Sequence, residues 1–413
     1  MQAESAKKKT GVGKLFLVLA SFGPGLFLIG YNIGTGSITT MATTGAEHGM
    51  KLFWVLVIAC LFTYIMLVAY DRYSLVTGKT SLRGIRTEIR GGWLIALYLM
   101  IALILGELMS LMGIMGIVAD LIREGTRLLF GSEGWGTLPI TFALVIGLYG
   151  LFWYGRYQLF EKILMVFVIL MGLSFVTVFF MVRPEMSVIA EGLIPGLPEK
   201  AGGLGLIAAI AGTTCSAAVF IMRSVVVSEK GWGAGDLKQA QRDAVVSSSM
   251  MLFLSAAIMA VAAGTLFTRG TSVRDTVDMI GMMEPLGGKA AAFILIVGVA
   301  SAGISTVFPI VLIAPWLIAD FTGRPRNIRS PLFRILGLVG ILFGFGMQFM
   351  ERRPPAMMVF SQGFQACILP VVVVAILLLL NRKSLMEEHR AGTWMNIGLL
   401  ATLAFGLLTS YFA

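Results

Sequence analysis

The sequence predicts an all-α integral membrane protein of about eleven transmembrane helices. Three observations carry that expectation. Of 413 residues, 57% are hydrophobic and only 13% charged. Apolar runs of about 20 residues, the length that crosses roughly 30 Å of hydrocarbon, recur from end to end. These runs lack the alternation that a barrel requires, and helices are then the structure that satisfies backbone polar groups in lipid.

Each span is bounded by charge or turn residues. The first, 14–43, follows the basic run Lys7, Lys8, Lys9, Lys14, and the second, 50–70, stops at Asp71 and Arg72. Arg90 and Arg123 bracket 94–122; "GSEGWG" precedes 138–155, and Arg183 and Pro184 close 159–182. The span 203–228 follows "PEKAGG" and ends at Glu229 and Lys230, whereas 244–267 runs from Asp243 to Arg269. Asp320 ends 288–319, and Pro331 opens 332–349, since proline suits a helix start. The pair Pro354–Pro355 opens 356–380, and "HRAGT" separates it from the last span, 394–412.

The basic start resembles a signal peptide, but its apolar core continues into Gly-rich sequence without a cleavage site, so it reads as a retained first helix. Lys and Arg concentrate on one set of loops, including Lys79, Arg83, Arg86, Arg324, Arg326 and Arg329. By the positive-inside rule the N-terminus is cytoplasmic and, with an odd helix count, the C-terminus is outside a cell (inner) membrane. The formal charge of +10 mostly reflects this asymmetry, and no basic stripe with interleaved aromatics points to nucleic acid. Cys60, Cys215 and Cys367 form neither a disulfide framework nor a zinc spacing. No cofactor is implied. "YSLVTGKTS" ends like a phosphate-binding loop but has Tyr73 where that motif needs its first glycine. An intramembrane enzyme lacks its aspartate pair, its Ser/His arrangement or its His-Glu-x-x-His motif.

With no soluble domain, residues 1–413 read as one transmembrane unit whose chemistry sits among the helices. Two spans are interrupted. "GYNIGTGSITT" (30–40) places Asn32, Gly34, Thr35, Gly36 and Ser37 inside the first, and "AAIAGTTCSAAVF" places Thr213, Cys215 and Ser216 inside the sixth. These spans open two repeats of similar length, about 14–182 and 203–380, with 394–412 as an extra helix. Paired interruptions at corresponding places mark inverted-repeat transporters with a midplane site. Small polar residues also serve close helix contacts, the alternative reading of either interruption taken alone.

In order and spacing along the chain, "GPGLFLIGYNIGTGSITTMATTGAEHGMKLFWVL", "LGELMSLMG", "LFEKILMVFVILM" and "FSQGFQACILP" resemble the Nramp family of divalent-metal transporters, which have a LeuT-like fold. The resemblance implies a small cation as cargo and alternating access as mechanism. It also exposes departures. The family's metal-binding carboxylate falls on Gly34, its amide ligand on Ser37, its methionine ligand on Ser216 and the residue giving a carbonyl on Thr213. Its two histidines fall on Ala218 and Arg223, and its acidic proton-exit pair on Ile114 and Ile117. Glu107 matches a family glutamate, and Gln362 keeps the tenth-helix glutamine.

A metal site would therefore draw on Gly34, Ser37, Thr213, Ser216 and Gln362, hydroxyl and carbonyl donors that suit harder cations. Cys215 offers sulfur from the neighbouring position. Glu107 and Arg223, the charges placed well inside spans, are expected to serve coupling or gating, by mutual pairing or separately. Three readings stay open: a cation carrier of altered selectivity without the family's proton route, a carrier of a small organic or anionic solute held by helix N-termini, and a non-transporting sensor. Pro309 is expected to kink the eighth span, with Ser305 and Thr306 relieving freed carbonyls.

Overall fold

The computed structural model describes residues 34–131, 133–154, 185–198, 202–282, 284–350 and 354–413, with Tyr31, Lys200 and part of 166–181. Among these residues the regular structure is helical. Helices α1 (Thr35–His48), α2 (Phe53–Thr77), α3 (Ser81–Glu88), α4 (Gly92–Phe130) and α5 (Thr137–Tyr154) form the first half. Helices α6 (Gly203–Thr214), α7 (Ala217–Glu229), α8 (Leu237–Thr265), α9 (Glu284–Thr322), α10 (Pro331–Phe343), α11 (Pro354–Asn381) and α12 (Thr393–Phe412) follow. Eight stretches among the described residues are long and apolar enough to cross a membrane, α6 and α7 counting as one. The N-terminal part of the first expected span and most of 159–182 lie outside the described residues.

Local chemistry sets the boundaries. Gly78, at φ 65°, ends α2 in a left-handed turn and returns its N–H to the Ser74 carbonyl. Pro331 occupies the first position of α10 after Ser330, whose hydroxyl accepts from the Phe333 N–H. Ser305 and Thr306 both donate to the Ala302 carbonyl, at 2.8 and 2.7 Å. Both bonds run back along their own helix.

Two groups of helices pack around the interruptions. Helix α8 lies along α1 and α2, and α7 lies on α2; α4 packs against α9 and α11, and α11 also lies along α6. Large apolar side chains such as Leu61, Leu105, Phe142, Leu400 and Tyr411 face outward, as a lipid solvent permits. Many spans are thus apolar on every face.

One end of the molecule is closed by polar contacts. Short α3 buries Leu82 and Ile85 and leaves Arg83 and Arg86 outward. Just before it, the Thr80 hydroxyl lies 2.6 and 2.7 Å from the two carboxylate oxygens of Asp320 on α9. The Ser81 N–H donates to the Ser224 hydroxyl of α7 at 3.0 Å. Arg326, after α9, holds Glu229 at the end of α7 at 2.7 Å and lies 3.5 Å from Asp320. Lys79 donates to Glu88 at 2.8 Å, which holds the Glu88 carboxyl below its ordinary range.

Candidate functional site

Both interruptions hold residues outside helical geometry. Gly34 is extended (φ −93°, ψ −172°) immediately before α1, and Cys215 and Ser216 leave helical geometry between α6 and α7. Close approach explains the glycines at the first break. A Cβ on Gly34 would overlap the Thr306 side chain, and one on Gly36 would lie 2.8 Å from Gln362 Nε2 and 2.9 Å from Met358 Cε.

The breaks meet at a cavity of about 30 Å³, room for one or two water-sized groups. Of the residues expected from sequence, Gly34, Gly36, Ser37, Thr213, Ser216, Gln362 and Glu107 line it. Thr35, Cys215 and Arg223 do not, and Asn32 lies outside the described residues. The Thr35 methyl points toward Gly303 of α9, and its hydroxyl has no partner among the described residues. Cys215 is fully buried beside the Thr63 hydroxyl and Cys60, away from the cavity wall.

Sequence reading left out Tyr31, Ser110, Thr306, Ile310, Met358 and Gln365 as site residues, all of which reach the wall. The signal for most of them is helical spacing. Glu107, Ser110 and Ile114 form one row on α4, Thr306 and Ile310 another on α9, and Met358, Gln362 and Gln365 a third on α11.

Hydrogen bonds tie the wall together. Tyr31 and Gln365 both donate to Glu107 Oε1, the latter at 2.8 Å, and among the described residues no donor reaches Oε2. Ser216 donates to the Gln365 side-chain oxygen at 2.8 Å, so one amide links the second break to the carboxylate. Across the cavity, Ser37 and Ser255 of α8 have hydroxyls 3.2 Å apart. Gln362 Nε2 lies 3.4 Å from both Ser110 and Ser361 hydroxyls, leaving its oxygen as a free acceptor among the described residues. Glu107 is the one carboxylate among the described lining residues.

Arg223 sits elsewhere, fully buried in α7. It forks onto Asp71 of α2 at 2.7 and 2.8 Å and donates to Asp243 of α8 at 2.6 Å. Of the two arrangements expected for Glu107 and Arg223, mutual pairing is overturned, since Arg223 is held by Asp71 and Asp243. Asp71 and Asp243 were read as span ends, whereas both lie inside helices and are 2% and 4% exposed. Among the described residues no group of three His, Cys, Asp or Glu side chains could hold a metal ion by itself.

Two helices broken at one small polar cavity, inside a shell of apolar spans, define a multi-pass membrane protein of LeuT-like architecture. A mutant of the Eremococcus coleocola manganese transporter shares this fold, with a TM-score of 0.74 at 16% identity over 99% of this chain and 88% of that one. So does the nucleobase-cation-symport-1 transporter Mhp1, at a TM-score of 0.61 and 16% identity over 95% and 92%. The chain belongs to the Nramp family: the model described as natural resistance-associated macrophage protein-like matches residues 25–412. Among relatives, the divalent metal cation transporter MntH of Ralstonia nicotianae is 25% identical over 93% of this chain and 87% of its own length. MntH of Pectobacterium carotovorum is 24% identical over 99% and 96%.

Proposed function

We propose that the protein carries a divalent metal cation across a cell (inner) membrane by alternating access, with its N-terminus cytoplasmic and with Glu107, Ser37, Thr213, Ser216 and Gln362 around the ion. One observation carries this reading: a cavity sized for a water or an ion lies where both helix breaks meet and has a carboxylate in its wall. Family membership makes transport of a metal the prior expectation. A small organic anion would need more room than this cavity offers, which weighs against the solute carrier.

Selectivity is expected to depart from the family pattern, because Gly34 and Ser216 stand where the resemblance implies a carboxylate and a thioether. Ile114, Ile117 and Ala218 remove titratable groups from the implied proton route, so transport is uncoupled from protons or coupled otherwise. Glu107→Gln keeps shape and removes the charge. It is expected to weaken Mn²⁺ binding, read by calorimetry on purified protein, by roughly tenfold or more. Ser37→Ala combined with Ser216→Ala should weaken it further. No saturable binding of Mn²⁺, Mg²⁺ or Ca²⁺ to folded wild type would defeat the cation reading. In proteoliposomes, Mn²⁺ uptake is expected without acidification of the lumen; strong metal-dependent acidification, read with an entrapped pH dye, would restore proton coupling.

A further inference from the structure

A groove of about 640 Å³ lies apart from the midplane cavity, shares none of its described lining residues, and runs between α6 and α11 to the end of α1. That is the size of an organic ligand, not of an ion. Helix α1 ends at His48, and α2 starts at Phe53 and runs to the α3 end, so the groove opens at the membrane face opposite the polar closure.

Its lining is ordered by depth. At the mouth stand Glu47, in the last turn of α1, and Arg274, in the loop after α8. Among the described residues neither side chain has an ion pair or hydrogen bond: Lys200 donates at 3.0 Å to the Glu47 main-chain carbonyl, and Arg274 bonds Asp278 through its main-chain N–H. Two opposite charges therefore share one mouth unpaired. One turn deeper on α1, buried Thr43 reaches the groove, and its hydroxyl has no partner among the described residues. Beyond it the wall is apolar, with Leu206 of α6 and Val359, Phe360 and Phe364 of α11. Phe360 is 53% exposed, so this wall is open on the side that meets lipid.

Gly205 of α6 and Gly363 of α11 line the groove as bare backbone, since a Cβ on either would meet nothing within 4 Å. The α11 wall from Ala356 to Cys367 measures about 16 Å at the helical rise, close to half of the roughly 30 Å hydrocarbon core. An acyl chain in one leaflet has that reach.

We propose that the groove binds one phospholipid whose head group carries both a phosphate and a primary ammonium, with the phosphate on Arg274, the ammonium on Glu47 and an acyl chain along α11. Guanidinium and phosphate make charge-assisted bonds, and a primary ammonium offers a carboxylate three donors where a trimethylated amine offers none. An ester carbonyl below the head group gives the Thr43 hydroxyl an acceptor. The lipid would lie against α1 and α6, which both adjoin a break, but its binding does not depend on which ion or solute is carried.

The test is native mass spectrometry of the delipidated full-length protein in detergent, titrated with phosphatidylethanolamine, phosphatidylcholine and phosphatidylglycerol of identical chains. Wild type, Glu47→Gln, Arg274→Gln and Gly363→Leu are compared, each checked for thermal unfolding. Wild type is expected to retain one phosphatidylethanolamine, held roughly tenfold more tightly than either other lipid. Glu47→Gln should abolish that preference, Arg274→Gln should weaken all three lipids, and Gly363→Leu should displace them by filling the groove. Both glutamine variants keep the main-chain bonds to Lys200 and Asp278. Equal retention of the three lipids by wild type, or retention unchanged in folded Arg274→Gln and Gly363→Leu, would mean an unselective lipid annulus and overturns the proposal. A dimer that Gly363→Leu dissociates would give the groove to a second copy of the chain and overturns it as well.

Discussion

Arg223→Ala is expected to be among the most destabilising single changes in the protein, at about 3–5 kcal/mol, because it leaves two buried carboxylates facing a gap. Asp71 and Asp243 lie on α2 and α8, and Arg223 on α7 ties both through bonds of 2.6–2.8 Å. Arg223→Lys should recover little, since an ammonium cannot reproduce the fork onto Asp71. Removing all three charges together, as Asp71→Leu, Arg223→Met and Asp243→Leu, should restore much of the loss, because the cost lies in the unpaired charges more than in the missing bond. Thermal unfolding of detergent-purified variants, followed by size exclusion, reads the series. A single variant that unfolds with the wild type would show that water reaches the triad.

Gly212→Ala should act as strongly through a different cause. A Cβ there would overlap the Gln362 backbone carbonyl, and neither α6 nor α11 has a side chain that can turn aside. The helices must separate, opening the contact that holds Gln362 in the cavity wall, at a cost of about 1–3 kcal/mol or more. Gly205→Ala on the same helix is the control, because a Cβ there meets nothing within 4 Å. That variant is expected to be neutral or slightly stabilising, by up to ~1 kcal/mol from helix propensity. Comparing the two by thermal unfolding and Mn²⁺ uptake separates crowding from loss of backbone freedom. Equal behaviour would mean that α6 and α11 are farther apart in the membrane.

Much of the site was legible because its anomalies run along the chain. Gly34 to Ser37 and Gly212 to Ser216 are polar where lipid demands apolar residues, and both became breaks at one cavity. Hydropathy carried the spans for the same reason. Azimuth was not legible. A helix that is apolar all round has no moment to say which face meets a neighbour, so Met358 and Ser110 looked like any other packing residue. Cys215 illustrates the converse, a chemically attractive side chain turned away from the cavity by its place at the break. The Arg223 partners were missed because Asp71 and Asp243 sit near the ends of apolar runs, where a charge reads as a boundary. Only tertiary contact shows that helices continue through them.

The polar closure at the α3 end has a consequence for how that face can open. Thr80 to Asp320, Ser81 to Ser224 and Arg326 to Glu229 join the stretch before α3, the end of α9 and the helix α7. Any displacement of α7 from α9 and α3 strains the Ser81 and Arg326 contacts in the same step, and movement of α3 breaks the Thr80 contact with them. Loss of one shifts its load to the others, so the face should yield as a unit above a threshold, with no graded leak below it.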